Sequence, residues 1–106
     1  MPLFMVKRKY FVWLQLGKKD VELRAVKAPW KNTQRGDLAT ILCGREILRM
    51  KVKRVVKGSL DKILEEVNYK RIFPQASTMH EAVKAAREIY PDTNEFLAFE
   101  LEERLS

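Results

Sequence analysis

The apolar residues of this chain change their period twice, and that fixes the order in which strands and helices can follow one another. From Asp20 to Val56 large aliphatic side chains recur mostly at every second position, between Leu60 and Ile89 they recur three and four apart, and from Glu95 to Glu102 the alternation returns. Successive strand side chains point to opposite faces, whereas helix positions three and four apart share one face. The spacing therefore predicts several strands, then helices, then a closing strand.

Within that frame, Pro2–Met5 is an apolar opening that suits an edge strand. Tyr10–Leu16 is almost continuously apolar and ends at Gly17, as a short helix with a glycine cap would, although a strand fits a run of this length equally well. Asp20–Val26 alternates, with Val21 and Leu23 on one side and Glu22 and Arg24 on the other, and predicts a half-buried strand. Ala28–Gly36 holds Pro29, Asn32 and Thr33 and reads as an exposed loop carrying Trp30, Lys31 and Arg35.

Leu38–Leu42 is a compact strand that turns at Gly44, and Glu46–Val56 is the longest strand candidate. Its Leu48, Met50 and Val52 face inward and its Arg49, Lys51 and Lys53 outward, until the alternation slips at Arg54 and Val55 becomes the inward residue. A bulge explains the slip and bends the strand as a small barrel requires. Ser59 is an N-cap for a helix through Leu60, Ile63, Leu64 and Val67. Thr78-Met79-His80-Glu81 is a capping box before the stripe Ala82, Val83, Ala86 and Ile89, and Pro91 stops that helix. In the last strand Leu97, Phe99 and Leu101 form the inward set, with Glu100, Glu102 and Glu103 on its outer face and fraying end. Strands in runs with the helices gathered together indicate an α+β fold, best drawn as a small, partly open barrel with helices on its flank. At 106 residues, one domain spanning 1–106 is expected.

Charge narrows the partners. The chain carries 21 Lys and Arg against 14 Asp and Glu, but residues 1–58 hold 15 basic and 4 acidic side chains while 59–106 hold 6 basic and 10 acidic. So one-sided a field favours a polyanion, nucleic acid or an anionic membrane, although a surface rich in Lys and Glu for thermal stability has the same composition. No apolar run approaches the roughly 20 residues that cross a bilayer, so a soluble protein with no membrane partner is expected. Lys7-Arg8-Lys9 ahead of Tyr10–Leu16 outlines a signal peptide but lacks a small-residue cleavage site and runs on into Lys18-Lys19-Asp20. Cys43 and His80 are each alone, which excludes an internal disulfide and the usual thiolate or imidazole metal clusters. A reducing cytoplasm is the simplest setting, with no metal and no cofactor expected. Cys43 reads as a small core residue, Trp13 as core, and His80 as solvent-facing.

The chemistry concentrates in Gly17-Lys18-Lys19-Asp20-Val21-Glu22-Leu23-Arg24. Glu22 and Arg24 share a strand face, and Lys19 enters just after a glycine that permits a sharp turn. Two cations and one carboxylate would then converge at a barrel mouth and suit a phosphate or a base edge: Arg offers a planar donor fork, Lys a point charge, and Glu22 can orient Arg24 or accept from an exocyclic amine. An ordinary solvated strand face with an i, i+2 ion pair fits the same spacing.

Gly17, Lys19, Glu22 and Arg24 stand in the pattern G-x-K-x-x-E-x-R, so the segment resembles the signature of the ASCH domain family, a branch of the PUA-like superfamily. Arg35-Gly36-Asp37 before an apolar strand and Ile89-Tyr90-Pro91 ahead of the last strand extend the likeness over essentially the whole chain. The resemblance implies a PUA-like β-pseudo-barrel, a cleft lined by the signature residues, and RNA-related roles, with protein partners in RNA processing or transcription. Some members of the family look like amidohydrolases of N4-acetylcytidine, in which a Lys matching Lys19 works with a Thr and a carboxylate. Here Glu22 stands at the position of the Thr, and Phe73-Pro74-Gln75-Ala76, where the carboxylate should fall, holds no acid. Lys19 and Glu22 are then the only obvious catalytic candidates.

Outside the signature, Arg49, Lys51 and Lys53, extended by Arg45 and Lys57, form a period-two basic stripe that can track a phosphate backbone or simply protect a strand from aggregation. Trp30 between Lys27 and Lys31, with Arg35 nearby, offers a stacking platform for a base or a lid over the barrel. The sequence thus favours an RNA-binding or modified-nucleoside-binding module using Lys18, Lys19, Glu22, Arg24, Trp30, Lys31, Arg35, Arg49, Lys51 and Lys53. A small nucleoside amidohydrolase, and an adaptor that docks an acidic protein partner, are the alternatives.

Overall fold

The structure, a computed structural model, describes residues 2–27 and 30–103. The elements follow the expected order: β1 (Leu3–Met5), α1 (Arg8–Gln15), β2 (Val21–Ala25), β3 (Leu38–Cys43), β4 (Glu46–Gly58), α2 (Leu60–Glu66), α3 (Met79–Ile89) and β5 (Phe96–Glu103), with 3-10 turns at Trp30–Asn32 and Tyr69–Arg71. The five strands form one curled, half-barrel sheet in the order β1-β3-β4-β5-β2, parallel between β1 and β3 and antiparallel elsewhere. This is the α+β, PUA-like pseudo-barrel with flanking helices. Among the described residues no helix is long and apolar enough to cross a membrane.

The helix and strand signals act as their chemistry demands. The Ser59 hydroxyl accepts from the Lys62 N–H at 3.3 Å and opens α2, whose Leu60, Ile63 and Leu64 are buried. Thr78 accepts from the Glu81 N–H, while the Glu81 carboxylate accepts from the N–H of Ser77, one residue earlier than a symmetric capping box would place it. Tyr10–Leu16, ambiguous in the sequence, is helical, and Gly17 at φ +76° turns the chain after it.

The bulge lies where the alternation slipped. Val52 pairs with Leu101 and Arg54 with Glu100, which leaves Lys53 as the extra residue. Before it Met50 and Val52 join one core, and after it the odd-numbered Val55 packs against that same core while Val56 turns to the other. Phe4, Phe11, Ile41, Val52 and Phe99 fill the first core, inside the curl under α1; Leu60, Ile63, Ile72, Ala82, Ala86 and Phe96 fill the second, under α2 and α3.

Four expectations need correction. β5 does not close the sheet at an edge: it lies between β4 and β2, so both of its faces are buried, and Phe96 and Ala98 serve one core as Leu97, Phe99 and Leu101 serve the other. Glu100 is therefore no outer-face acid; it is 6% exposed and paired with Arg71 at 2.8 Å and Arg54 at 3.2 Å. Ile89, placed on the buried stripe of α3, is 47% exposed, because the helix ends there, while Ala82 and Ala86 are buried in the core and Val83 packs against it. Trp13 is half-buried, edge-on to Tyr10. Ala28 and Pro29, in the expected loop, lie outside the described residues.

Arg71 ties these parts together. Its guanidinium donates to both carboxylate oxygens of Asp20, at 2.7 and 3.0 Å, and to Glu100, joining the start of β2, the 3-10 turn and β5. Pairing with Asp20, more than any other contact, raises its pKa above the ordinary arginine value. Replacement of Arg71 by Leu strands part of a buried carboxylate's hydrogen bonding. Urea denaturation of Arg71→Leu should show a loss of about 2 kcal/mol, below the full cost of breaking a buried pair because Arg71 is itself partly exposed; an unchanged midpoint would remove the network from any structural role.

Candidate functional site

Lys19 is the best-buried charge among the described residues, at 3% exposure. The turn at Gly17 carries it inward: the N–H groups of Lys18 and Lys19 both donate to the carbonyl of Trp13, which closes α1 and directs Lys19 under the barrel while Lys18 stays exposed. The Lys19 ammonium donates to the carbonyls of Val21 at 2.6 Å and Ile72 at 2.9 Å, and meets Glu22 Oε1 at 3.3 Å. These three partners take up its three N–H bonds. Burial pushes its pKa below the ordinary lysine value, with Glu22 opposing that shift.

Glu22 continues the chain of charge. Its Oε2 accepts from Nε of Arg24 at 3.0 Å and from Nη2 at 2.5 Å, and Arg24 Nη2 also donates to the Met5 carbonyl at 3.0 Å. The Arg24 guanidinium lies 5.1 Å from the Phe4 ring centre and 5.4 Å from that of Trp30. Glu22 is only 7% exposed, so β2 is covered on both faces and not half-buried as its alternation suggested. The reason is that the Tyr10 ring of α1 lies 5.4 Å from the Lys19 ammonium and the chain just after the turn at Tyr69–Arg71 supplies the Ile72 carbonyl as one of its acceptors.

Lys19, Glu22 and Arg24 do converge, and they line a cavity of about 340 Å³. Its remaining walls come from Tyr10 on α1, Ile72, Phe73 and Gln75 after the 3-10 turn, and Glu88 and Tyr90 at the end of α3, with Lys7 and Lys9 also on the wall. Gln75 donates to the Tyr10 hydroxyl at 3.1 Å, and the Tyr90 hydroxyl reaches the Leu23 carbonyl at 3.4 Å, its pKa raised by burial. Glu88 makes no hydrogen bond or ion pair among the described residues.

The other expected ligand-binding residues do not share this cavity. Arg35 and Lys53 line a separate, more open hollow with Thr33, Gln34, Arg54, Val55 and Glu100. Arg49, Lys51, Lys31 and Lys18 are exposed and line neither. Trp30 is half-buried: its indole N–H donates to the Ala25 carbonyl at 2.6 Å and its ring packs on Phe4, so it is a wall of the barrel and not an open platform. Tyr10, Glu88 and Tyr90 were missed as site residues. The triplet Ile89-Tyr90-Pro91 was visible as a family feature, but nothing in the sequence signalled that α1 and α3 face each other across the signature strand.

The chain shares its fold with solved ASCH structures. Its structure is similar to that of the hypothetical protein PH0355 (TM-score 0.77, 24% identity, covering 96% of this chain and 98% of the other) and to the protein PF0455 of Pyrococcus furiosus (TM-score 0.71, 20% identity, 95% and 94%). It is similar too to the ASCH protein of Zymomonas mobilis (TM-score 0.70, 16% identity), of which it spans 66% while 95% of this chain is covered. No family model and no curated protein matches the sequence.

The depressed pKa of Lys19 sets a pH dependence. Between its folded value and the ordinary lysine value of 10.5, the unfolded chain keeps a proton that the folded chain has released, so the stability Lys19 contributes rises with pH through that window. Urea midpoints of wild type and Lys19→Met, followed from neutral pH up to that value, should shift in favour of the wild type as pH rises. A difference that stays flat, or moves the other way, contradicts the depressed value.

Proposed function

We propose that the protein is an RNA-binding module that takes one unpaired or modified nucleotide into the cavity beside Lys19, Glu22 and Arg24. The observation that carries this reading is the meeting of aromatic walls and a fixed polar floor in one concave site. Tyr10, Phe73 and Tyr90 offer faces and edges to a flat ring, and about 340 Å³ lies at the small end of the range for small-molecule sites. Arg24 Nη1 has no hydrogen-bond partner among the described residues, which leaves it a donor for a base carbonyl or phosphate. Glu88 supplies an acceptor for an exocyclic amine, and Lys7 and Lys9 supply charge for the attached phosphate. The one-sided basic charge of residues 1–58 and the named ASCH neighbour agree with this role. A reducing, cytoplasmic setting suits the lone Cys43, which is buried and unpaired.

The hydrolytic alternative has less support. Lys19 Nζ is tied to the carbonyls of Val21 and Ile72 and to Glu22 and is not free to approach a substrate carbon, and Gln75 lines the cavity in the stretch where the amidohydrolases would place their acid. Docking of an acidic protein partner lacks a matching feature at this cavity, which presents a carboxylate among its cations.

Titration with cytidine and with nucleoside monophosphates, followed by NMR, should perturb residues around Tyr10, Phe73 and Tyr90. Arg24→Gln should weaken binding about ten-fold, the equivalent of ~1.4 kcal/mol. Absence of binding at millimolar nucleotide, or an Arg24→Gln protein that binds like wild type, would remove the proposal. Chromatography of N4-acetylcytidine incubated with the protein should return it intact; turnover abolished by Lys19→Met would make the protein an enzyme instead.

A further inference from the structure

The fold holds cations together at a second place. Lys53 is the extra residue of the β4 bulge, and both Lys53 and the following Arg54 are exposed and line the same hollow, of about 550 Å³. An unbulged strand would send these neighbours to opposite faces. Arg35 is brought to them from another segment: the Gly36 N–H donates to the Val52 carbonyl at 2.8 Å, and the Val52 N–H donates to the Asp37 carbonyl at 2.8 Å. Gly36 adopts φ +94°, a conformation that L side chains rarely take, and the Gln34 N–H donates to the Asp37 carboxylate at 2.9 Å. The loop carrying Arg35 is thus stapled to the bulge by backbone.

Arg54 is neutralised by Glu100 and Glu66, but Arg35 and Lys53 make no hydrogen bond or ion pair among the described residues. Like charges on free side chains lower their energy by separating, yet here two backbone bonds and a bulge anchor them beside one hollow. Thr33, Gln34 and Val55 complete its lining with the Glu100 carboxylate, which is already paired with Arg54 at 3.2 Å and Arg71 at 2.8 Å. A phosphate group fits that set of donors: a planar arginine fork, a lysine point charge and neutral donors around a concave surface.

We infer that this hollow is a second contact site for nucleic acid, taking backbone phosphates of a single RNA strand while the first cavity takes a base. It rests on the RNA-binding reading for the nature of the polymer and is otherwise independent of it, since none of its residues lines the first cavity. A strand that gives a base to an enclosed site is unpaired at that point, which is why single-stranded RNA is the ligand named.

The test uses the full chain and a labelled single-stranded oligouridylate long enough to cover both hollows, with affinity measured across a range of salt. For the Arg35→Ser/Lys53→Ser double variant the slope of log affinity against log salt should become shallower by about 1.4, from roughly 0.7 per lost single-strand phosphate contact. Its binding of a nucleoside monophosphate should be unchanged. Arg49→Ser/Lys51→Ser, which removes equal charge from the same strand outside the hollow, should change the slope less. An equal fall in both double variants, an unaltered slope in the first, or polyglutamate displacing the RNA charge for charge would overturn the site. Oligonucleotide binding with the expected slope change but no mononucleotide binding would sustain this site and retire the cavity reading.

Discussion

An ammonium taken out of water must find acceptors for its N–H bonds or cost several kcal/mol, and Lys19 meets that demand by joining β2 to the chain that follows the 3-10 turn. Its partners are the carbonyl of Val21 on β2, the carbonyl of Ile72 after the 3-10 turn, and the carboxylate of Glu22. Without those acceptors the polar face of β2 has no means of being buried. With them, Glu22 is held by cations on both sides, and Arg24 is fixed against Phe4, Trp30 and the Met5 carbonyl. The cavity floor is thus rigid before any ligand arrives, which spares a ligand the cost of ordering it.

Neighbouring residues of the same segment do a different job. Lys19, Glu22 and Arg24 make the floor, while Asp20 pairs outward with Arg71, whose backbone carbonyl in turn accepts from the Asp20 N–H at 3.2 Å. The turn at Tyr69–Arg71 is therefore latched to the segment by Asp20 and, one residue on, by Lys19 at Ile72. Phe73, a cavity wall, follows directly. Through Arg71 and Glu100 the same turn reaches Arg54 and the edge of the second hollow, so the two hollows share a wall-bearing network while sharing no lining residue.

Much of this was legible in the sequence because it is local. Period, caps and the slip at Arg54 depend on residues a few positions apart, and each gave its element, down to the phase change that turns Val55 inward. The signature residues and their convergence were legible too, through a resemblance. What was hidden depends on distant pairing. β5 between β4 and β2, the burial of Glu22 and Glu100, and the facing of α1 and α3 across the cavity all follow from contacts between segments far apart along the chain, to which periodicity is blind. Trp30 was left open between platform and lid for the same reason: its partners Ala25 and Phe4, which make it a wall, include one that only the tertiary fold supplies. A single cleft was expected where there are two hollows, since a list of cations says nothing of which wall each stands on.

The places where the chain breaks a local rule are the informative ones. Helix α1 begins with Lys7, Arg8 and Lys9, with no acid in its first turn and no side-chain cap, although the positive end of a helix dipole disfavours cations there. Arg8 is compensated by Glu46, and Lys9 lies over the Tyr10 ring, but Lys7 and Lys9 still line the cavity. Arg35 and Lys53 are likewise anchored beside one hollow by a stapled loop and a bulge. A chain shaped for stability alone would place acids at the first site and separate the charges at the second. Both lie in residues 1–58, which carry all of the chain's excess positive charge. Composition alone says only that a polyanion would be attracted; the placement of these four cations is what the proposed contacts rest on.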